Sequence, residues 1–334
     1  MHTPFRPAPR ALTAAALLAV LVAPSRAGAQ ETTGSFQRTL TVSGPVDLEV
    51  LSGSGRIEVR SGQVGRIEIS GRVRADNWRL FSGRLNARER VRRIEAKPPI
   101  EQTGNRVTIG RIDDEELRDQ VSISYTVVVP PDTTLVSKTG SGSHLIEGVR
   151  GAVTASSGSG SIHVRNAGGD VRATTGSGSV IADTVAGSFS ANSGSGSIDG
   201  TSVKGGITVN SGSGTIVVSQ SGGGPVEAAS GSGSIRLTGL RGSLRASTSS
   251  GTLRVEGEPT SDWRLSSSSG SVTIELAGHP AFALDAHSNS GRIDTSYPIT
   301  VSGTIDRHGL RGSVNGGGGP LLHVRTSSGG IQIR

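Results

Sequence analysis

Serine and threonine recur in this chain at fixed offsets from glycine, so the chemistry of hydroxyls held in register is the first to consider. With the second glycine of each SGSG-like unit as origin, the residue one place earlier is Ser141, Ser159, Ser177, Ser195, Ser213, Ser232, Ser250, Ser269, Ser290 or Ser328. Three places earlier stand Thr139, Ser157, Thr175, Ser193, Ser211, Ser230, Thr248, Ser267, Ser288 and Thr326. Hydroxyls so placed can bond backbone groups that a corner leaves unpaired, or face outward as a flat hydrogen-bonding array. Spacing alone leaves both orientations open. Ser159, Ser177, Ser195, Ser213 and Ser232 are the candidate binding residues of the outward kind. A second candidate is basic: Arg84, Arg88, Arg92 and Arg93 crowd a segment, residues 71–111, that holds eleven basic and four acidic side chains.

Other chemistry finds little support in residue types and spacing. A glycosidase needs two carboxylates facing each other across a cleft, whereas the acids of residues 139–293 read as scattered singly, with no pair recurring one period apart. Calcium rolls with nine-residue half-turns need an Asp in the turn; here the turns offer Ser, Gly and Thr, and Asp170, Asp183 and Asp199 share no column. The histidines show no metal spacing, and the GSGSG strings are corner turns rather than nucleophile elbows. No catalytic, cofactor-binding or metal-binding residue is expected, and no cofactor.

The elements that position the hydroxyls follow from the repeat. The reference glycines are Gly142, Gly160, Gly178, Gly196, Gly214, Gly233, Gly251, Gly270, Gly291 and Gly329, at spacings of 18, 18, 18, 18, 19, 18, 19, 21 and 38. Two places later come Ile162, Val180, Ile198, Ile216, Ile235 and Leu253, and four places later Val164, Ala182, Val218, Leu237 and Val255. A spacing of two is strand periodicity with both side chains on one face. Nine residues after the reference glycine another glycine precedes a second apolar pair, as in Val153/Ala155 and Phe189/Ala191. Each coil of about 18 residues is thus two short strands and two turns. One coil cannot bury its own apolar face, but a stack can. The expected fold is all-β: a single-domain parallel β-solenoid of about ten coils, with large residues on one sheet meeting small ones on the other. The reference glycines are expected to supply the positive-φ conformations of tight corners.

Both ends are less regular. Residues 1–29 read as a signal peptide, with Arg6 and Arg10 before an apolar run and Ala27-Gly28-Ala29 as the cleavage signal. Residues 30–138 form an irregular β region, in which 55–59 and 65–69 look like one two-strand coil. A capping insert at 71–120 includes a short amphipathic helix from Ser82 to Lys97, with Leu85, Ala87, Val91 and Ile94 on one side. Regular coils occupy 139–293, and irregular coils with a cap occupy 294–334. Cysteine is absent and aromatics are 3%, so stability must come from packing and hydrogen bonds. Of the formal charge of +7, three units sit in the signal peptide, leaving +4. No apolar run of the mature chain is long enough to span a bilayer.

The stretch Tyr125 to Gly142 (YTVVVPPDTTLVSKTGSG), the coils that follow it and the TSSGGIQI ending resemble the bacterial putative-adhesin, or toast-rack, family of β-strand-repeat envelope proteins. The resemblance implies a β-solenoid at the cell envelope, with adhesion or envelope-stress roles. The expected function is an exported, non-enzymatic adhesin-like or structural module, periplasmic or at the cell surface. Its expected partners are an envelope polysaccharide, a surface polymer or an envelope protein, and not nucleic acid. The alternative is a carbohydrate-active enzyme, a lyase or hydrolase, on a β-helix scaffold.

Overall fold

The computed structural model describes residues 32–75, 86–118, 121–301, 308–316 and 318–334. The signal-peptide reading and Arg84 lie outside the described residues, as does Leu85 of the expected helix. Two sheets of 14 and 15 strands face each other. In the regular part each coil contributes one strand to each sheet, and equivalent strands pair in parallel. In the 15-stranded sheet the columns do not shift, with Val153, Val171, Phe189, Ile207 and Val226 as successive partners, while in the other the register shifts locally at Gly200/Val203 and Leu237/Leu240. Their alternation reads directly as burial, since Val171, Ala173 and Thr175 are buried while Arg172 and Thr174 are exposed. The solenoid expectation holds.

The interior is filled by complementary sizes. The sheet that carries Ile162, Val164, Ile198, Ile235 and Leu237 faces one that carries Ala155, Ala173, Ala191, Ala228 and Ala246, all buried. Where the second sheet instead has Phe189, the first has Gly200, and a Cβ there would lie 3.0 Å from the Phe189 ring. Trp263, the largest side chain inside, satisfies its ring N–H on the Gly242 carbonyl at 2.9 Å.

The corner glycines serve a purpose other than the expected one. None of the reference glycines has positive φ; that conformation falls six places later, at Gly148, Asn166, Thr184, Ser202 and Gly239. What the reference position needs is the absence of a side chain. A Cβ on Gly160 would be driven into the carbonyl oxygen of Gly142, one on Gly178 into that of Gly160, and so on up the column. The neighbouring glycines stack just as tightly, with Gly158 N–H donating to Gly140 O at 2.8 Å and Gly176 N–H to Gly158 O at 3.0 Å.

The chain does not climb the stack in sequence order at either end. The strands Val46–Ser52 and Ile57–Ser61 form a rung that lies directly below the one made by Thr133–Thr139 and His144–Glu147. Below it lies a further rung made by Arg106–Ile109 and Val121–Val129. At the other end the last strands of the chain, Leu321–Thr326 and Ile331–Ile333, are inserted between Trp263–Ser267 with Val272–Leu276 and Phe282–Ser288 with Ile293–Thr295. This explains the final spacings of 21 and 38, because the spatial order of corners is Gly270, Gly329, Gly291. Among the described residues twelve parallel two-strand rungs result, about two more than the repeat count suggested, for a rod of about 53 Å at about 4.8 Å per rung.

Antiparallel strands finish both ends. Thr32–Thr41 and Arg66–Ala75 pair antiparallel outside Val121–Val129, and Gly309–Val314 pairs antiparallel outside Phe282–Ser288. The segments 55–59 and 65–69 are therefore not one coil. Both lie in the same sheet, on either side of Val121–Val129, because Gly65 at φ +85° turns the chain back antiparallel. The helix runs over Ala87–Ala96, with Asn86 Oδ1 accepting from Glu89 N–H at 2.9 Å as N-cap. Ala87, Val91 and Ile94 are buried against the two N-terminal strands, and Val91 occupies the space that a Cβ on Gly34 would need.

Replacing Gly160 by Ala should destabilise the protein by about 3 kcal/mol or more, because the clash is with backbone of the rung below, which cannot rotate away as a side chain could. Gly223→Ala, where nothing lies within 4 Å of the added carbon, should stay within about 0.5 kcal/mol of the parent. Equilibrium urea unfolding of the two variants measures the contrast; equal effects would remove close backbone approach as the reason for the glycine column.

Candidate functional site

The two hydroxyl columns flank the same corner and do different things. The column three places before the corner glycine points inward. Ser157 Oγ accepts from Gly160 N–H at 2.8 Å and donates to the Gly142 carbonyl of the rung below at 2.9 Å. Thr175 does the same with Gly178 and Gly160 (3.1 and 3.0 Å), Ser193 with Gly196 and Gly178 (2.9 and 3.1 Å), and Thr248 with Gly251 and Gly233 (3.2 and 3.1 Å). The pattern survives the change of chain order at the ends. Ser288 bridges Gly291 to Gly329, Thr326 bridges Gly329 to Gly270, and Ser52 bridges Gly55 to the carbonyl of Ile123. One hydroxyl thus satisfies a donor and an acceptor that the sheets leave unpaired.

The column one place before the glycine points outward. Ser159, Ser177, Ser195, Ser213 and Ser232 are all exposed, as are Ser141, Ser250, Ser269, Ser290 and Ser328. The structure adds Ser54, exposed beside Gly55 on the rung beneath. Its SGSG string at 52–55 was visible in the sequence, but the long gap before the next copy hid its membership. The result is an edge of hydroxyls, one on each of eleven of the twelve rungs, with only glycine and small polar residues beside them.

The basic candidates sit at the N-terminal end. Arg88, Arg92 and Arg93 are exposed on the helix, and Arg93 pairs with Glu89 one turn earlier at 2.9 Å. They form one face, separate from the seryl edge in sequence and in element. Among the described residues no helix is long and apolar enough to cross a membrane, and no group of three or more His, Asp or Glu is placed to hold a metal ion.

Two features were missed by the sequence reading. Glu256 and Glu275 are direct partners on adjacent rungs, so one pair of acids does recur one period apart. Their carboxylates stand on the outer face, with Glu275 bridged by Arg254 at 2.6 Å and Arg334 at 3.2 Å. The second is a serine–histidine pair. His144 and Ser137 take inward positions that neighbouring rungs give to Ile162 and Ala155. Ser137 Oγ lies 2.8 Å from His144 Nδ1, and Nε2 lies 3.0 Å from the Ser156 carbonyl. A carbonyl only accepts, so Nε2 carries the hydrogen and Nδ1 accepts from Ser137. Both side chains are buried, which makes this a satisfied polar pair of the core rather than a nucleophile presented to substrate. Burial holds the His144 pKa below its ordinary value of 6.5, partly offset by the Ser156 carbonyl.

Ser157→Ala should cost about 1–3 kcal/mol by orphaning the Gly160 N–H and the Gly142 carbonyl, while Ser159→Ala should stay within about 0.5 kcal/mol of the parent. Chemical denaturation that ranks the two equally would sink the division of labour between the columns. His144 contributes a pH dependence of definite sign. Its folded pKa is lower than its unfolded one, so the unfolded state binds more protons. The stability due to the neutral imidazole is fully present above pH 6.5 and is lost as pH falls from there toward the depressed folded value. His144→Ile combined with Ser137→Ala, the pairing of neighbouring rungs, should flatten the melting temperature across that window. A wild-type profile that is already flat there refutes the assignment.

Comparison with known proteins follows the same architecture. A family model described as Toastrack DUF4097 matches residues 126–334. No curated protein matches the chain. A solved structure of a putative adhesin from Bacteroides fragilis is 13% identical with a TM-score of 0.32, covering 90% of this chain and 97% of that one. A putative cell adhesion protein from Clostridium sporogenes is 9% identical with a TM-score of 0.23, covering 90% and 99%. Scores this low carry no argument about shared function. The family match, which takes in the parallel rungs from Thr126 onward and the inserted C-terminal one, is the firmer finding: the chain belongs to the Toastrack DUF4097 family.

Proposed function

We propose that this protein is an exported, non-enzymatic module of the cell envelope, periplasmic or at the cell surface, that binds a linear polysaccharide along its seryl edge. The observation that carries the reading is the exposed column from Ser54 through Ser141 and Ser159 to Ser328 and Ser290. It repeats at about the strand spacing of 4.8 Å and is flanked by glycines, so an extended chain can lie flat against it and meet the same donor and acceptor at every step. Hydroxyls that the fold itself uses are on the inner column, which leaves the outer one without a structural duty. Export is supported by the basic, apolar and small-residue succession of residues 1–29. The division into an irregular region at 30–138, regular coils at 139–293 and irregular coils with a cap at 294–334 belongs to the same proposal. Outside residues 1–29 the net charge is +4, which favours an acidic polymer over a neutral one.

The test is a glycan array and a pull-down of envelope polysaccharide with the mature protein. Changing Ser159, Ser177, Ser195, Ser213 and Ser232 together to Ala should weaken polysaccharide binding about tenfold or more, at about 1.4 kcal/mol per factor of ten, with no change in melting temperature. Binding that survives this change but is lost on replacing Arg88, Arg92 and Arg93 by Gln would move the site to the helix. Release of new reducing or unsaturated ends from the bound polymer would overturn the non-enzymatic reading.

A further inference from the structure

The seryl edge ends at a cavity. Below the Gly55 corner the lowest rung has no SGSG turn; its two strands, Arg106–Ile109 and Val121–Val129, are joined by residues 110–120. Between residues 110–118 and the corners above lies a cavity of about 330 Å³, walled by the apolar Leu51, Ile112 and Val121 and by the charged Lys138 and Arg118. The volume is at the small end of the range for ligand pockets.

Tyr125 forms part of the same wall. It occupies the inward column that Ile57 and His144 fill in the next two rungs, and its ring reaches across the interior toward Gly110. A Cβ on Gly110 would stand 3.2 Å from the Tyr125 oxygen, and Gly110 is itself on the cavity wall. Phe36 packs edge-on against the ring, with centroids 6.4 Å apart. The hydroxyl is buried and has no hydrogen-bond partner, in contrast to His144 two rungs up, whose polar atoms are all satisfied. A buried hydroxyl left unpaired is costly. Burial also pushes its pKa up, so it remains a protonated donor in search of an acceptor.

The polarity is graded. The unpaired donor lies deep, the middle is apolar, and the cations are at the solvent side, where Lys138 Nζ shares Glu49 at 3.3 Å and Arg118 shares Glu115 at 3.4 Å. Ion pairs this exposed are weak and readily exchanged for another carboxylate. We propose that the cavity is a binding site for a small amphipathic carboxylate. The ligand directs an acceptor oxygen to the Tyr125 hydroxyl, lays its apolar body against Leu51, Ile112 and Val121, and leaves its carboxylate with Lys138 and Arg118. The proposal is independent of polysaccharide binding along the seryl edge.

The probe is 4-hydroxyphenylacetate, titrated into the full mature chain and followed by calorimetry and by amide NMR shifts. Saturable one-to-one binding is expected, with the largest shifts at Gly53, Gly110 and Gly140. Tyr125→Phe should weaken the probe about fivefold, the worth of one neutral hydrogen bond. Phenylacetate, which lacks the acceptor, should bind the wild type about fivefold more weakly than the probe and should be indifferent to Tyr125→Phe. Lys138→Gln should weaken both carboxylates about threefold and leave the neutral 4-hydroxyphenylacetamide unchanged. Tyr125→Phe removes an unpaired polar atom and so should melt no lower than the parent; if it fails to fold, the comparison of the two probes on the wild type decides. No saturable binding at millimolar probe, or equal affinity of probe and phenylacetate for the wild type, overturns the proposal and leaves the cavity a packing defect.

Discussion

The fold depends on how closely successive corners of the chain can stack. Parallel strands in adjacent rungs set the separation at about 4.8 Å, and at the corner this brings one glycine against the carbonyl of the glycine below, with no space for a Cβ. Bending away from the strand direction also strands an N–H and a carbonyl that neither sheet can satisfy. Glycine solves the steric half of the problem and the inward Ser or Thr three places earlier solves the polar half, through one hydroxyl that accepts from its own rung and donates to the one beneath. Neither works without the other: a side chain at the corner would push the rungs apart, and an apolar residue at the hydroxyl position would leave two buried polar groups unpaired.

With the corners set, a modest hydrophobic inventory is enough. Aromatics are scarce, and the interior is made of branched aliphatics on one side opposed in many rungs to alanine on the other. Departures are compensated locally. Phe189 uses the space of Gly200, Trp263 bonds Gly242, and the Ser137–His144 pair replaces an alanine and an isoleucine without leaving a polar atom bare. The Tyr125 hydroxyl and the Gln220 Oε1 are buried polar atoms not compensated in this way, and of the two Tyr125 is the one placed where the regular corners stop.

A parallel stack has two open ends, each a row of unpaired strand groups that invites association. Here both ends are closed in a related way. The outermost parallel rung is followed by antiparallel strands at both ends; at the C-terminal end the last strands of the chain are tucked one rung inside, whereas at the other end Thr32–Thr41 forms the outer edge of its sheet. The last two strands, Leu321–Thr326 and Ile331–Ile333, therefore have neighbours on both sides, which protects them from fraying better than an end position would. The regular surface between the caps is left as a long edge of equivalent hydroxyls.

Much of this was legible in the residues. The period of 18, the two strands per rung, the inward columns of Ile162 and Val164 and of Val153 and Ala155, and the burial of Ala87, Val91 and Ile94 on one helical side all follow from local alternation, which a chain carries wherever it folds. The register of Glu256 beside Glu275 was also available from the same offsets and was overlooked. Tertiary structure alone decided which rung lies on which, since Gly55 beneath Gly142 and Gly329 between Gly270 and Gly291 are matched by strand pairing across long stretches of chain. It also decided that the outer serines face solvent while their neighbours two places earlier face the corner backbone, and that the corner glycines are required for closeness rather than for positive φ. The physical reason is the same in each case: periodicity records what a residue repeats, whereas contact with the rung below exists only after the stack has formed.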